Sequence, residues 1–263
     1  MPRDAAGSGG AATVMSKPKV KPRRSTPRLC ARRVMLKLSG EMLGARTGSV
    51  LDAGGLERIA GVIAGARASG AEVAVVIGGG NILRGGRGGP ALPRTTLDAL
   101  GMLATLMNAL ALRGALLQGG VPARVLTAFE APQAAERYRP DRGRELLAGG
   151  EVVLCAGGTG NSYLTTDTAA ALRALELGCD LLIKGTKVDG VYSADPMLVT
   201  RARRYTRLTF TEVLRRRLGV MDLTAITLCM ENQLPVVVLN AAEPGAIPAL
   251  LRGEPRGTRI VPA

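Results

Sequence analysis

Histidine is absent from all 263 residues. Its absence removes Ser-His and Cys-His nucleophile pairs, histidine-ligated zinc and histidine general bases. Any chemistry here must work without an imidazole. Phosphoryl transfer to a phosphate acceptor meets that condition, because the acceptor oxygen is largely deprotonated near neutral pH and needs little help from a base. Tryptophan is also missing and aromatics make up only 2%. The core must therefore be built from Ala, Val, Leu, Ile and Met, and stacking platforms for bases are scarce, which counts against a single-strand nucleic-acid binder.

Cysteine is sparse too. Cys30, Cys155, Cys179 and Cys229 are scattered with no paired metal spacing, and no signal peptide is read, so a reducing cytoplasm is expected. The most apolar stretch, Ala99 to Leu112, includes Thr105 and Asn108. It is shorter than the ~20 residues a membrane span needs, and a buried helix is expected instead.

The net charge of +14 is uneven along the chain. Residues 1–33 hold nine Lys/Arg against Asp4 alone, an excess of +8 that leaves +6 for the rest. A moderately basic body suits phosphorylated substrates, whereas the tail could touch RNA or acidic lipid or simply be solvated. Residues 1–31 lack periodicity and read as a disordered basic extension, starting at Met1 or at Met15; a transit peptide is the other reading.

From residue 32 to 263 the chain reads as one α/β domain. Short β-branched runs (Val34 to Leu38, Val73 to Ile77, Ala123 to Thr127, Val152 to Ala156, Leu181 to Lys184, Val236 to Leu239) read as strands. Helical patterns fill the gaps at Leu56 to Ala68, Asp98 to Gln118, Asp167 to Leu177, Thr211 to Leu218, Leu223 to Asn232 and Ala246 to Leu251. The alternation predicts a three-layer α/β/α sandwich around a mostly parallel sheet, with ligands at the C-terminal ends of the strands.

The chemistry-bearing segments fall at those ends. Lys37-Leu38-Ser39-Gly40-Glu41 sets an ammonium and a glycine turn after the first strand, a place for phosphate or merely a solvated turn. Gly78-Gly79-Gly80-Asn81, with Arg84 nearby, offers unobstructed N–H groups to a polyanion. Neither a P-loop nor a Rossmann glycine pattern is present. Gly157-Gly158-Thr159-Gly160-Asn161 forms a second anion-friendly loop, and Thr165-Thr166-Asp167 opens a helix with Asp167 near the N-cap. In Lys184 to Asp195, two lysines (Lys184, Lys187) can neutralise phosphates, Tyr192 can pack on a base, and Asp195 can accept hydrogen bonds.

These residues resemble the bacterial UMP kinase branch of the amino acid kinase family over Arg33 to Ile260. The carriers are KLSGE, VVIGGGN, GMLATLMN (Gly101 to Asn108), GGTGN, TTD, TKVDGVY (Thr186 to Tyr192) and VMDLTA (Val220 to Ala225). The resemblance implies transfer of a phosphoryl group from ATP to UMP, Mg²⁺ bound through the nucleotide phosphates with no protein metal site, and a homohexamer with weak GTP or UTP regulation. It implies ATP contacts at Lys37, Leu38, Ser39, Gly40, Gly80, Arg84, Thr186, Tyr192 and Asp195. It implies UMP contacts at Gly79, Asp98, Thr159, Gly160, Asn161, Ser162, Tyr163, Leu164, Thr165 and Thr166. Lys37, Arg84, Asp167 and Asp222 are the implied catalytic set, the aspartates ordering the lysine and the metal-phosphate array. The chain departs from the family pattern at Ser162 and Leu164, at Ala45 to Val50, which lacks the usual glycines, and at Gly114, where an acidic residue usually stands; the last two regions are tied to GTP regulation in the family. A metal-storage protein of the same fold is the alternative, and a membrane or nucleic-acid partner is not expected.

Overall fold

A computed structural model describes residues 30–44, 49–83, 91–195, 198–199 and 201–262. Residues 1–29 of the expected N-terminal extension and Arg84 lie outside the described residues. Cys30 and Ala31, expected to belong to that extension, instead pack on the domain: Ala31 is buried and Cys30 N donates to Leu251 O at 2.9 Å. In chain order the elements are β1 (Arg33–Leu38), α1 (Ala53–Ala68), β2 (Glu72–Ile77), α2 (Arg94–Gln118), β3 (Ala123–Thr127), β4 (Glu136–Arg137), α3 (Pro140–Ala148) and β5 (Val152–Ala156). There follow α4 (Thr166–Leu177), β6 (Leu181–Thr186), β7 (Arg207–Thr209), α5 (Phe210–Arg215), α6 (Leu223–Glu231), β8 (Val236–Asn240), α7 (Ala246–Leu251) and β9 (Thr258–Val261).

One nine-stranded sheet runs β4-β3-β5-β2-β1-β6-β8-β9-β7. Every pairing is parallel except β8 with β9. The central strands are buried on both faces, which is why they read as unbroken apolar runs. Leu36, Leu38, Val75 and Ile77 face a core shared with α1, α2 and α7. Met35, Ala74 and Val76 face a second core shared with α3, α4, α5 and α6. Helices on both faces make the three-layer sandwich that the sequence predicts.

The differences from the sequence reading have local causes. Helix α2 begins at Arg94, so Asp98 sits inside its first turns rather than at its start. The helix has 25 residues, longer than the apolar stretch Ala99 to Leu112, and an 18-residue window of it has a mean hydropathy of 1.6, so it could cross a membrane by length and composition alone. Here it packs along the sheet with Leu106, Ala109, Leu112 and Leu116 buried. Helix α3 escaped notice because its sequence is mostly polar and carries Gly143, at which a Cβ would come 2.5 Å from a Leu177 methyl. The strands β4 and β7 have only two and three residues and exist through their pairing, and β9 is a short terminal strand. Helix α5 stops at Arg215.

Candidate active site

Because β1, β2, β5 and β6 run parallel, their C-terminal ends and the loops that leave them share one edge of the sheet. Ser39 caps a short 3-10 turn, Gly40–Met42, its hydroxyl accepting from Glu41 N. Gly40 is required by crowding, since a Cβ there would lie 2.1 Å from the Gly78 carbonyl oxygen. The glycine loop after β2 is pinned from α2. Asn108, fully buried, donates to Gly78 O at 2.7 Å and to Asn81 Oδ1 at 2.7 Å, while Asn81 donates back to Asn108 Oδ1 at 3.0 Å. In the sequence Asn108 stands out as an amide within an apolar helix and as part of the family pattern; its role in pinning the glycine loop follows from its burial, because a buried amide needs partners.

A charge cluster stands at the ends of β1 and β6. Lys37 and Lys184 are direct neighbours in register across these parallel strands, a placement in which like charges repel. Asp167 resolves the conflict. Its Oδ1 lies 2.9 Å from Lys37 Nζ and its Oδ2 accepts from Lys184 Nζ at 2.8 Å, with all three side chains about 15% exposed or less. The Lys37 contact is an ion pair rather than a directed hydrogen bond, since Oδ1 has no hydrogen-bond donor. Lys184 also donates to Val220 O. Burial, opposed by the Asp167 charge, holds the Lys184 ammonium below the usual lysine range. Two lysines against one aspartate leave an excess positive charge beside the glycine loop, suited to a phosphate chain.

Asp167 is free for this role because it is not the cap of α4. Thr165 caps that helix, its hydroxyl accepting from Asp167 N and Thr168 N at 3.0 and 3.3 Å. Asp222 makes no contact with Lys37. It caps α6, accepting from Ala225 N at 3.0 Å, and takes the hydroxyls of Thr165 and Thr168. Burial works against its charge, yet these bonds win and its carboxyl stays below the ordinary aspartate range. Asp222 thus orders the start of α4, and the lysine contact from its neighbourhood comes from the Val220 carbonyl.

Beside this cluster lies a cavity of about 520 Å³ between α2 and the loop after β5. Of the residues implied for the acceptor, Gly79, Asp98, Thr159, Asn161, Leu164, Thr165 and Thr166 line it, and so does Gly80. Gly160, Ser162 and Tyr163 belong to the same loop but are not on the lining. Asp98 accepts from Arg94 Nε at 2.9 Å and from Tyr163 N at 2.7 Å, and the Tyr163 bond is the main cause of its lowered pKa. Tyr163 adopts a left-handed φ of 68° with its ring exposed and Arg94 over it at 5.4 Å.

Of the other implied donor-nucleotide residues, Thr186 ends β6 and lines a separate, more apolar cavity of about 420 Å³ with Met42 and Lys187. Tyr192 donates its hydroxyl to Asp189 Oδ1 at 2.6 Å, and Asp195 is exposed, its carbonyl accepting from Leu198 N and Val199 N. The two lysines read together from sequence part ways: Lys184 joins the buried cluster, whereas Lys187 is exposed and pairs with Glu41 at 2.9 Å.

The sequence model of the amino acid kinase family matches residues 32–240. The chain belongs to that family. Among curated members it is 49% identical to the uridylate kinase of Methylococcus capsulatus over 231 residues, which is 88% of this chain and 97% of that one. It is 47% identical to the uridylate kinase of a Bradyrhizobium strain over 230 residues, 87% and 97% of the two chains. Among solved structures, UMP kinase from Bacillus anthracis superposes with a TM-score of 0.83 at 36% identity, covering 88% of this chain and 96% of that one. The amino acid kinase fold is thus shared over all but the chain's ends.

Proposed function

We infer that this amino acid kinase catalyses transfer of the γ-phosphoryl group of ATP to UMP, giving ADP and UDP. It is a nucleoside monophosphate kinase of pyrimidine nucleotide biosynthesis. The observation that carries this reading is the Lys37–Asp167–Lys184 cluster set between the glycine loop and a nucleotide-sized cavity, in a chain close to half identical to uridylate kinases.

UMP lies in the 520 Å³ cavity, with Asp98 on its ribose hydroxyls and the loop from Thr159 to Thr166 around base and phosphate. ATP lies on the β1 and β6 side, its phosphates against Lys37 to Gly40 and Gly80 and its nucleoside toward Thr186, Tyr192 and Asp195. Arg84, outside the described residues, completes the cation set. Phosphoryl transfer between two phosphates needs alignment and charge neutralisation rather than a base. Lys37 supplies positive charge to the phosphoryl in flight, and Asp167 holds Lys37 and Lys184 in place without consuming both charges.

Magnesium fits as an ion carried by the phosphates. Among the described residues no three acidic, cysteine or histidine side chains cluster, and Asp167 and Asp222 are engaged by lysines and threonines. When bound, Mg²⁺ would neutralise phosphate charge and fix the chain's conformation. A panel of nucleoside monophosphates with ATP and Mg²⁺, read as ADP formation, tests the function. UMP-dependent turnover is expected; ADP formation that ignores UMP would overturn it and favour the metal-storage alternative.

A soluble cytoplasmic homohexamer is the proposed form. Helix α2 supports assembly, because Leu100, Leu103, Met107 and Leu117 form an exposed apolar stripe along one face, and such stripes mark contacts between chains. Met107→Glu should shift the mass measured by sedimentation equilibrium toward smaller species, and an unchanged mass would remove this stripe from the assembly.

GTP activation is expected to be weak. Gly114 lies on the same helix, exposed, with open space around its Cβ position. The family places an acidic side chain there, so an acceptor for guanine or a partner's arginine is missing. Initial rates at subsaturating UMP should barely respond to GTP, and Gly114→Asp, which fits sterically, should increase the response. Several-fold activation of the unaltered chain would overturn this expectation.

A further inference from the structure

Arg173 is a cation that neither the lysine cluster nor the nucleotide contacts use, and only 7% of it is exposed. A buried guanidinium is tolerated only when its donors are met. On one side it pairs with Glu176 Oε2 at 2.7 Å, one turn along α4. Its guanidinium carbon lies over the Tyr138 ring, 4.0 Å from the centroid. Its Nη2 reaches two backbone carbonyls, Gly158 O and Thr159 O, each at 3.4 Å.

Those carbonyls belong to the loop that walls the acceptor cavity. The loop is a glycine turn: Gly157, Gly158 and Gly160 take left-handed φ values of 75°, 59° and 85°, Gly160 N donates to Gly157 O at 3.1 Å, and Gly157 N donates to Thr105 Oγ1 at 2.8 Å. Glycines in that region have many alternatives of similar energy. A carbonyl held toward Arg173 turns the N–H of the same trans peptide the other way. The peptide after Thr159 is also tied by its own N–H, which Gly160 gives to Gly157 O at 3.1 Å, so Arg173 matters most for the peptide between Gly158 and Thr159. The Cβ position of Gly158 faces Met102 of α2 at 3.7 Å, and both residues line the cavity.

We propose that Arg173 is a positioning residue for the acceptor: clamped by Glu176 and seated over the Tyr138 ring, it fixes the peptide between Gly158 and Thr159 in the orientation that receives UMP. The proposal rests on the reading of this cavity as the UMP site. Lysine cannot replace it, because one ammonium cannot sit over the ring while reaching Glu176 and both carbonyls.

Steady-state kinetics of Arg173→Lys, Glu176→Gln and Tyr138→Phe, with Asp98→Ala as reference, provide the test. Arg173→Lys should raise the UMP KM roughly tenfold, the size of one charge-assisted hydrogen bond, with the ATP KM and kcat each within about threefold of wild type. Glu176→Gln should move the UMP KM in the same direction by a smaller factor. Tyr138→Phe, which keeps the ring beneath the guanidinium and deletes a hydroxyl beside Glu176, should move it less than Glu176→Gln does. Added guanidinium ion should lower the UMP KM of Arg173→Ala at concentrations that do not affect wild type. If Asp98→Ala raises the UMP KM but Arg173→Lys does not, the positioning role is overturned while the cavity reading stands. If Asp98→Ala has no effect either, the cavity reading itself has failed. Equal rises in the KM for UMP and ATP would reduce Arg173 to general packing and overturn the proposal. Should the Arg173 variants not fold, Glu176→Gln decides: an unchanged UMP KM overturns it and a selective rise supports it.

Discussion

Lys37→Ala should lower kcat by about 10²-fold or more while leaving the fold intact, because its charge acts chiefly when charge redistributes on the transferring phosphoryl group. Lys37 is mostly buried at the end of β1, 2.9 Å from Asp167 Oδ1. At that depth a unit charge about 4 Å from a phosphate oxygen is worth roughly 4 kcal/mol at an effective dielectric of 20, ample for the stated loss. The substitution does a second thing. It leaves Asp167 balanced by Lys184 alone and removes the excess positive charge beside the glycine loop. Structural damage should be limited, since the same change relieves the repulsion between Lys37 and its register neighbour Lys184. Turnover at saturating ATP and UMP, measured with the thermal midpoint, checks this: kcat within threefold of wild type would remove Lys37 from the mechanism.

Asp98→Ala should raise the UMP KM by roughly 10- to 150-fold, equivalent to about 1.5–3 kcal/mol for charge-assisted hydrogen bonds, with little change in the ATP KM. The carboxylate lines the acceptor cavity and also receives Tyr163 N, so it touches both ligand and loop. Asp98→Asn separates the two roles, because an amide oxygen can still accept from Tyr163 N but carries no charge. If the direct contact dominates, Asn should resemble Ala; if loop anchoring dominates, Asn should resemble wild type. Equal rises for both nucleotides would place Asp98 outside the acceptor site. Asp98 is held below the ordinary aspartate range, chiefly by the Tyr163 N–H. It therefore stays ionised as pH falls to that range, and its contribution to UMP affinity should be lost only below it.

Much of this architecture was legible because its signals are local. Strands buried on both faces must be continuously apolar, and backbone approaching a polyanion must be glycine-rich, so β1, β2, β5 and β6 and their loops stood out along the chain. The grouping of Asp98 with Thr159 to Thr166 was carried by resemblance, and the cavity brings most of those residues together. Where signals depend on partners, residue type leaves alternatives open. Asp167 has two readings, a helix cap by position and a lysine partner by resemblance, and because Thr165 is an equally good cap only the hydrogen bonds and the ion pair to Lys37 separate them. Lys184 and Lys187 looked alike because sequence does not tell a lysine that ends a buried strand from one in the turn beyond it.

By itself the sequence determined the alternation of strand and helix, the phosphate-friendly loops at one edge, and a mechanism free of imidazole, since each follows from residue type and short-range spacing. Tertiary structure alone decided which charges meet. Lys37 and Lys184 become neighbours only because the sheet places β6 beside β1, and Asp167 reaches both only because α4 begins above that pair. The fate of Arg173 was likewise a matter of packing, for a buried cation has no preferred partner until the fold brings a ring, a carboxylate and two carbonyls to it. Strand order and burial arise from the whole chain's collapse, and no window of a few residues contains them.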